Sequence, residues 1–320
     1  MSSAPLSPLS LVVGLSGGLD STVLLHVMWR TQQALPQVFS LSAIHVHHGL
    51  QPAADDFKAQ AESFCAELSV PLQVVKVSIP QREIADLGIE AAARHHRYQA
   101  FAAHLPDQAV LGLAHHRDDL IETALLQWIR GAGLEGLSAM TRISTAEFNG
   151  RQIIRWRPFL DQSRQTLLDY AQAQGLKWIE DPSNTDTDLA RNRIRHEVMP
   201  ILRSLREGAD TAMARSIGHL QAARDLLEMV TERALSVSRL ADGRLSLDAL
   251  LIHDDILATQ ILRRWLKHQG APTPPARRLS EFLRQLRSAR EPRAQMDLTD
   301  PASGRVWHVI RHRNWLEIRR

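Results

Sequence analysis

The sequence predicts an α/β chain in which a doubly wound, mainly parallel five-stranded sheet is followed by a mostly helical region. Three observations carry this. Short apolar runs alternate with helical patterns through the first half; the runs are continuous, as in strands buried on both faces; and beyond Gln162 the strand signal fades. The strands are expected at residues 11–15 (LVVGL), 41–46 (LSAIHV), 72–77 (LQVVKV), 109–113 (AVLGL) and 153–156 (IIRW). Helices at residues 21–33, 55–68, 90–103 and 118–130 separate them, with the length that a parallel crossover requires. Further on, helices are expected at residues 163–174, 211–238, 254–268 and 275–289, and a hairpin at 306–310 and 315–318. Two domains are expected from this change of pattern, one over residues 1–205 and a mostly helical one over 206–320.

Composition narrows the class. A chain of 320 residues with 44% hydrophobic and 23% charged residues is globular, and too long for one small core. A single cysteine, Cys65, excludes an intramolecular disulfide scaffold and any mechanism needing two thiols, and suits a reducing cytoplasm. Apolar runs fall far short of the roughly 20 residues that span a bilayer, and the N-terminal MSSAPLSPLS has neither a basic nor a long apolar segment. A soluble cytoplasmic protein without a membrane partner is expected. Residues 1–190 carry 14 Lys+Arg against 20 Asp+Glu, whereas residues 191–320 carry 24 against 15, and 23 of those 24 cations are arginine. Arginine forms paired hydrogen bonds with phosphate, so a polyanionic partner for the second half competes evenly with solvated helix faces.

The sharpest motif is Ser16-Gly17-Gly18-Leu19-Asp20-Ser21, between the first strand and a helix. Two glycines let backbone amides turn inward, two serines add hydroxyls and the helix end adds positive dipole, which together form a phosphate cradle. It lacks the lysine of the GxxxxGK[ST] loop, which argues against the usual γ-phosphate chemistry. Asp20 would repel a phosphate unless a cation lies between them, so Mg²⁺ bridging Asp20 to a leaving pyrophosphate is expected. The alternative role for Asp20 is helix capping.

Further blocks follow in order: His45-Val46-His47-His48-Gly49-Leu50; Glu90-Ala91-Ala92-Ala93-Arg94 with Arg97 and Tyr98; Ala114-His115-His116-Arg117-Asp118-Asp119 running to Glu122-Thr123 and Arg130-Gly131-Ala132-Gly133; Arg157-Pro158-Phe159; Trp178; Glu180-Asp181-Pro182-Ser183-Asn184; and Arg191-Asn192-Arg193-Ile194-Arg195. Arg94 and Arg97 are one helical turn apart and can address the same phosphates. His115 and Asp119 can share a face if their helix begins early. Read alone, most of the histidines are structural or cavity-lining, Arg130–Gly133 is a helix C-cap and Cys65 is a core residue.

SGGLDS after a strand resembles the PP-loop of the ATP pyrophosphatase superfamily. The ordered blocks together are similar to the tRNA(Ile)-lysidine synthetase family within it. That resemblance implies a Rossmann-like fold of the adenine nucleotide α-hydrolase type and a ligase that forms a carbon–nitrogen bond. ATP and Mg²⁺ would adenylate the wobble cytidine of the CAU anticodon of tRNA(Ile), and L-lysine would then displace AMP at carbon 2, changing codon reading from AUG to AUA. It also implies that Ser16, Gly17, Gly18, Leu19, Asp20 and Ser21 bind ATP, with Asp20 as the Mg²⁺ residue. Asp20, Arg94, His115, Asp119 and Arg191 would be catalytic, Asp119 and Glu122 would hold the lysine, and Arg191 and Arg195 would contact tRNA. Asp119 and His115 are equal candidates to take the proton of the attacking amine.

Two departures from the family pattern stand out. Leu120 occupies the place of a usual glutamine. Fuller family members also carry another C-terminal domain, whose grip on tRNA is not expected of a chain that ends at Arg320. The competing readings are another PP-loop tRNA-modifying enzyme, a small-molecule amide synthetase, and a non-catalytic nucleotide- or RNA-binding module. The oligomeric state is open, with a homodimer compatible.

Overall fold

The computed structural model describes residues 8–49, 54–148, 150–181, 190–288, 294–300 and 304–320; Leu50 and the Pro182-Ser183-Asn184 part of the acidic turn lie outside them. The chain divides into two compact units, Met1–Gln221 and Ala222–Arg320.

The first unit is built on β1 (Leu9–Gly14), β2 (Phe39–His47), β3 (Leu72–Lys76), β4 (Val110–Gly112), β5 (Ile143–Phe148) and β6 (Arg151–Trp156), in the order β3-β2-β1-β4-β6-β5. Every pairing is parallel except β5 with β6. The sheet therefore has six strands rather than the five expected. The additional strand, β5, reads ISTAEF and alternates exposed with half-buried residues, none of them fully buried. As a half-exposed edge strand it lacks the continuous apolar run that marks its neighbours.

Strand alternation sorts the core into two layers. Leu11 and Val13 of β1 and Leu41 and Ala43 of β2 pack with α1 (Leu19–Ala34), α2 (Ala54–Leu68) and, through Leu167 and Ala171, α7 (Arg164–Ala173). Val12, Ile44 and Val75 point to the other face, against Tyr98 and Phe101 of α4 (Ile89–His104), which follows the short α3 (Gln81–Leu87). Each such fully buried aliphatic side chain contributes about 1.5–3 kcal/mol, so both faces must be covered for the sheet to form. Cys65 lies in the first layer, where burial pushes its thiol up to about 11.

After β4 come α5 (Arg117–Ile129) and α6 (Leu134–Leu137); Arg130 is the C-cap of α5 and Gly131 follows at φ 72°. Beyond α7, α8 (Ala190–Arg193) runs through a π turn over Ile194–Val198 into α9 (Met199–Leu205), with the Met199 amide donating to the Ile194 carbonyl. Pro200 explains the widening, because its ring cannot coexist with the carbonyl four residues earlier. The long α10 (Ala209–Ser238) follows.

The second unit contains β7 (Leu245–Ser246), α11 (Leu247–Leu251), α12 (Asp255–His268), α13 (Ala276–Arg287) and the strands β8 (Gln295–Thr299), β9 (Val306–Arg311) and β10 (Trp315–Arg319). The expected hairpin is present as β9 and β10, inside an antiparallel sheet of order β7-β10-β9-β8. Trp265, Leu262 and Ile261 of α12 and Leu279, Phe282 and Leu283 of α13 form its core. Among the described residues, no helix is long and apolar enough to cross a membrane.

Candidate active site

The strand order reverses between β1 and β4: the chain moves outward from β1 through β2 to β3, then returns to the other side of β1. Ligands of doubly wound sheets bind where the carboxyl ends of such strands diverge. A cavity of about 350 Å³ opens there, lined by Gly14 to Ser16 at the end of β1 and by Leu113 to His115 after β4.

The Ser16–Ser21 turn forms one wall. The Ser21 hydroxyl donates to the Gly18 carbonyl (3.2 Å) and accepts from the Ser16 amide (3.1 Å), while the Ser16 hydroxyl lies 3.0 Å from it and accepts from the Gly18 amide (3.3 Å). The serines thus hold the loop's shape in addition to offering hydroxyls. Gly17 sits at φ 92°, and a Cβ there would lie 2.8 Å from the carbonyl oxygen of Phe57, so both torsion and space demand glycine. Gly18 is the N-cap of α1 and supplies no side-chain hydrogen bond. The first-turn amides keep their dipole for an anion.

Asp20, one residue into α1, is the cavity's most exceptional group. Its Oδ1 is buried without a partner among the described residues, and its Oδ2 lies 3.7 Å from His116 Nε2. Burial raises its pKa, with Asp119 adding to the rise and His116 opposing it. Asp119 stands across His116: its Oδ2 accepts from the His116 amide (3.0 Å) and lies 3.5 Å from Nε2 of the same ring. Burial opposes its ionisation, but His116 and Arg191 outweigh that and hold the carboxyl below its usual value. His115 is pushed down to about 3 by burial, helped by Arg157, Arg191 and Arg94, so it is neutral at pH 7; its Nδ1 is buried without a partner among the described residues.

Behind Asp119 is a tight ionic cluster. Arg191 donates to Asp119 Oδ1 (2.8 Å) and to Glu122 Oε2 (2.8 Å); Arg195 donates to Glu122 Oε1 (2.7 Å) and Oε2 (2.9 Å). Glu122 is 1% exposed. Arg191 and Arg195 therefore share one face, as their spacing suggests, although a π turn has replaced the α-helix at Arg195.

Of the residues singled out from the sequence, Ser16, Gly18, Leu19, Asp20, Ser21, His115, Asp119 and Arg195 line the cavity. Gly17 shapes the loop from beneath, while Glu122 and Arg191 meet the cavity wall through Arg195 and Asp119. The Arg94 guanidinium lies over the Tyr98 ring, 5.1 Å from its centroid, and Arg97, one turn later, lines the cavity. His116 and Arg164 are site residues that the sequence does not mark. His116 is the 1% exposed ring between Asp20 and Asp119, a role that sequence spacing does not separate from that of its neighbour His115. Arg164 arrives from the first position of α7, whose amide donates to Asp118 (3.1 Å). No sequence signal ties that helix to the cavity. His45 also lines it, with Nδ1–H donating to the Leu15 carbonyl (2.8 Å).

The donor set fits Mg²⁺ shared with a phosphate ligand. Asp20, Asp119, Glu180 and Asp181 face Arg97, Arg164 and Arg195 along the lining, so among the described residues carboxylates outnumber guanidiniums before any triphosphate enters. Among the described residues, no group of three or more His, Cys, Asp or Glu is arranged to hold a metal alone. Mg²⁺ is commonly held by one or two carboxylates with the remaining ligands from phosphate and water, and the unpartnered Asp20 Oδ1 supplies such a ligand.

A family profile described as a PP-loop domain matches residues 3–202. The chain belongs to the PP-loop family. A second profile, described as a TilS substrate binding domain, matches residues 245–317. The PP-loop chain is 42% identical over 280 residues to the tRNA(Ile)-lysidine synthase of Yersinia pseudotuberculosis (strain IP 31758), covering 88% of this chain and 60% of that protein. It is 41% identical over 283 residues to the tRNA(Ile)-lysidine synthase of Escherichia coli O157:H7, covering 88% and 63%. The chain thus spans about six-tenths of the length of the curated relatives it matches. The fold of the U34-tRNA thiolase NcsA from Methanococcus maripaludis, solved with its [4Fe-4S] cluster, superposes with a TM-score of 0.52 at 18% identity, covering 68% of this chain and 74% of that one. That likeness is one of fold.

Proposed function

We propose that this PP-loop protein is a tRNA(Ile)-lysidine synthetase. ATP would adenylate the wobble cytidine of a CAU anticodon, releasing pyrophosphate, and L-lysine would then displace AMP from carbon 2. The observation that carries the reading is the cavity at the β1/β4 reversal, where the lysine-free phosphate loop, the unpartnered Asp20 oxygen, His115 and Asp119 meet. The names of the 41–42% identical relatives support the substrate.

In the first step the cytidine carbonyl oxygen attacks the α-phosphorus and the bond to pyrophosphate breaks. Loop amides and the α1 dipole would hold the departing phosphates, with Arg97, Arg164 and Arg195 offsetting the charge. Bound Mg²⁺ would supply Lewis-acid neutralisation of the leaving pyrophosphate beside Asp20. In the second step the lysine amine attacks carbon 2 and AMP leaves. That amine must first lose its proton. Neutral His115 and ionised Asp119 are both in proton-accepting form at pH 7, and they remain equal candidates.

Asp119 and Glu122 are proposed to hold the lysine, as carboxylates suit a cationic amine. Both are engaged by arginine in this structure, so lysine binding entails exchange of at least one of those contacts. Arg191 and Arg195 would then turn toward nucleotide or tRNA. Residues 1–205 would carry the ATP chemistry and residues 206–320 further tRNA contacts. The test is incubation with ATP, labelled lysine and tRNA(Ile) bearing CAU. Lysine incorporated mole for mole with AMP supports the proposal; AMP formation without RNA labelling overturns it.

A further inference from the structure

A second cavity in the first unit, of about 360 Å³, lies on the other side of α5 from Asp119 and Glu122. Arg117 and Leu120, one turn apart on α5, form one wall; Ala214 and Arg215 of α10 form another; Arg142 and Leu160 complete it. The cavity thus joins three guanidiniums to an aliphatic floor, and Leu120 and Leu160 are each 7% exposed. Its volume is within the range of small-molecule sites, about 300–1,000 Å³.

The polar groups are incompletely matched. Arg117 Nε is buried without a partner among the described residues, and the same guanidinium reaches Thr211 Oγ1 only at 3.4 Å. Arg142 donates to the Pro158 carbonyl (2.9 Å) and faces Asp161 at 3.3 Å, the one carboxylate in the lining. Arg215 is exposed, and its side chain makes no hydrogen bond or ion pair among the described residues. A buried guanidinium N–H without an acceptor is costly in a folded protein, and three arginines around one space match the several acceptor oxygens of a phosphate.

We infer that this cavity is a second nucleotide-phosphate subsite, distinct from the PP-loop, with the phosphate on Arg117, Arg142 and Arg215 and the base or sugar against Leu120, Leu160 and Ala214. The phosphate belongs to either a nucleotide of the RNA strand other than the reacting one or a free nucleotide. The RNA source rests on the substrate proposed above; the free-nucleotide source does not. Leu120, the departure from the family pattern, supplies apolar floor where glutamine would place an amide.

Two variants test it: Arg215→Gln, which alters an exposed side chain, and Arg117→Gln/Arg215→Gln. Calorimetry with AMP counts sites per chain, and the affinity of a tRNA(Ile) transcript is followed against salt concentration. If the occupant is RNA, the double variant weakens transcript binding about tenfold and reduces the slope of log K against log salt by about 1, with AMP stoichiometry unchanged. If it is a free nucleotide, a second AMP site seen in the wild type is lost and the slope is unchanged. Wild-type values in both readouts, for variants that melt as the wild type does, overturn the inference. Lysine transfer by the wild type in the same preparation tells a failure of this subsite from a failure of the proposed function.

Discussion

Glu122→Gln should destabilise the first unit well beyond an ordinary polar substitution. The carboxylate is 1% exposed and accepts three guanidinium hydrogen bonds, one from Arg191 and two from Arg195. Glutamine keeps the volume but turns one acceptor oxygen into a donor facing a guanidinium, and leaves Asp119 as the nearest counter-charge. Removing one partner of a buried ion pair costs about 3–5 kcal/mol. The arginine side chains retain 24% and 27% of their exposure and recover some hydration, which places the loss near the lower end, about 3 kcal/mol. For a unit of this size each kcal/mol moves Tm by about 2–4 °C, so a fall of about 6–12 °C is expected in calorimetry, with the same loss in urea unfolding. A cycle with Arg195→Gln should return a coupling of at least about 1 kcal/mol, since the groups are in direct contact. A loss below about 1 kcal/mol together with zero coupling would refute the assignment of this cluster as the anchor of Asp119.

Gly17→Ala forces a side chain into a positive-φ position and onto the Phe57 carbonyl, costing about 1–3 kcal/mol and weakening ATP binding at least tenfold; unchanged affinity in equilibrium dialysis would contradict the loop's role. For His115, the folded pKa of about 3 lies below the unfolded value, so the unfolded state binds the extra proton between about pH 6.5 and 3 and stability falls as pH drops through that window. Burial gives His45 and His48 the same sign, so His115→Gln should reduce the wild-type slope by about one proton, about 1.4 kcal/mol per pH unit, in urea titrations, and an unaltered slope would count against it. Arg191→Ala should lower tRNA turnover at least tenfold with ATP affinity within about twofold, because Arg191 meets Asp119 and Glu122 rather than the phosphate loop; equal loss of both would assign it to the nucleotide.

Much of this geometry is readable from sequence because the informative residues are local. SGGLDS sits between a continuous apolar run and a helix, and the observed α1 begins at Leu19, inside the motif. The helix at residues 254–268 is likewise marked by Asp254, which caps α12 by accepting from the Leu257 amide. The strand β5 was not readable, since ISTAEF on an exposed edge has no apolar continuity. The bridging place of His116 is not readable either, since it depends on Asp20 of α1 and Asp119 of α5 approaching from different helices. The pairing of Glu122 with two arginines 69 and 73 residues away is also a product of tertiary packing, and helical spacing shows only that Arg191 and Arg195 share a face.

The adenylated base is tested most directly with ATP labelled at the α-phosphorus, tRNA(Ile) bearing CAU and no lysine. Transfer of label to the RNA, lost in Asp20→Ala and discharged as AMP when lysine is added, is the predicted result. Label that stays in free nucleotide while pyrophosphate or phosphate is released would contradict attack of the base on the α-phosphorus.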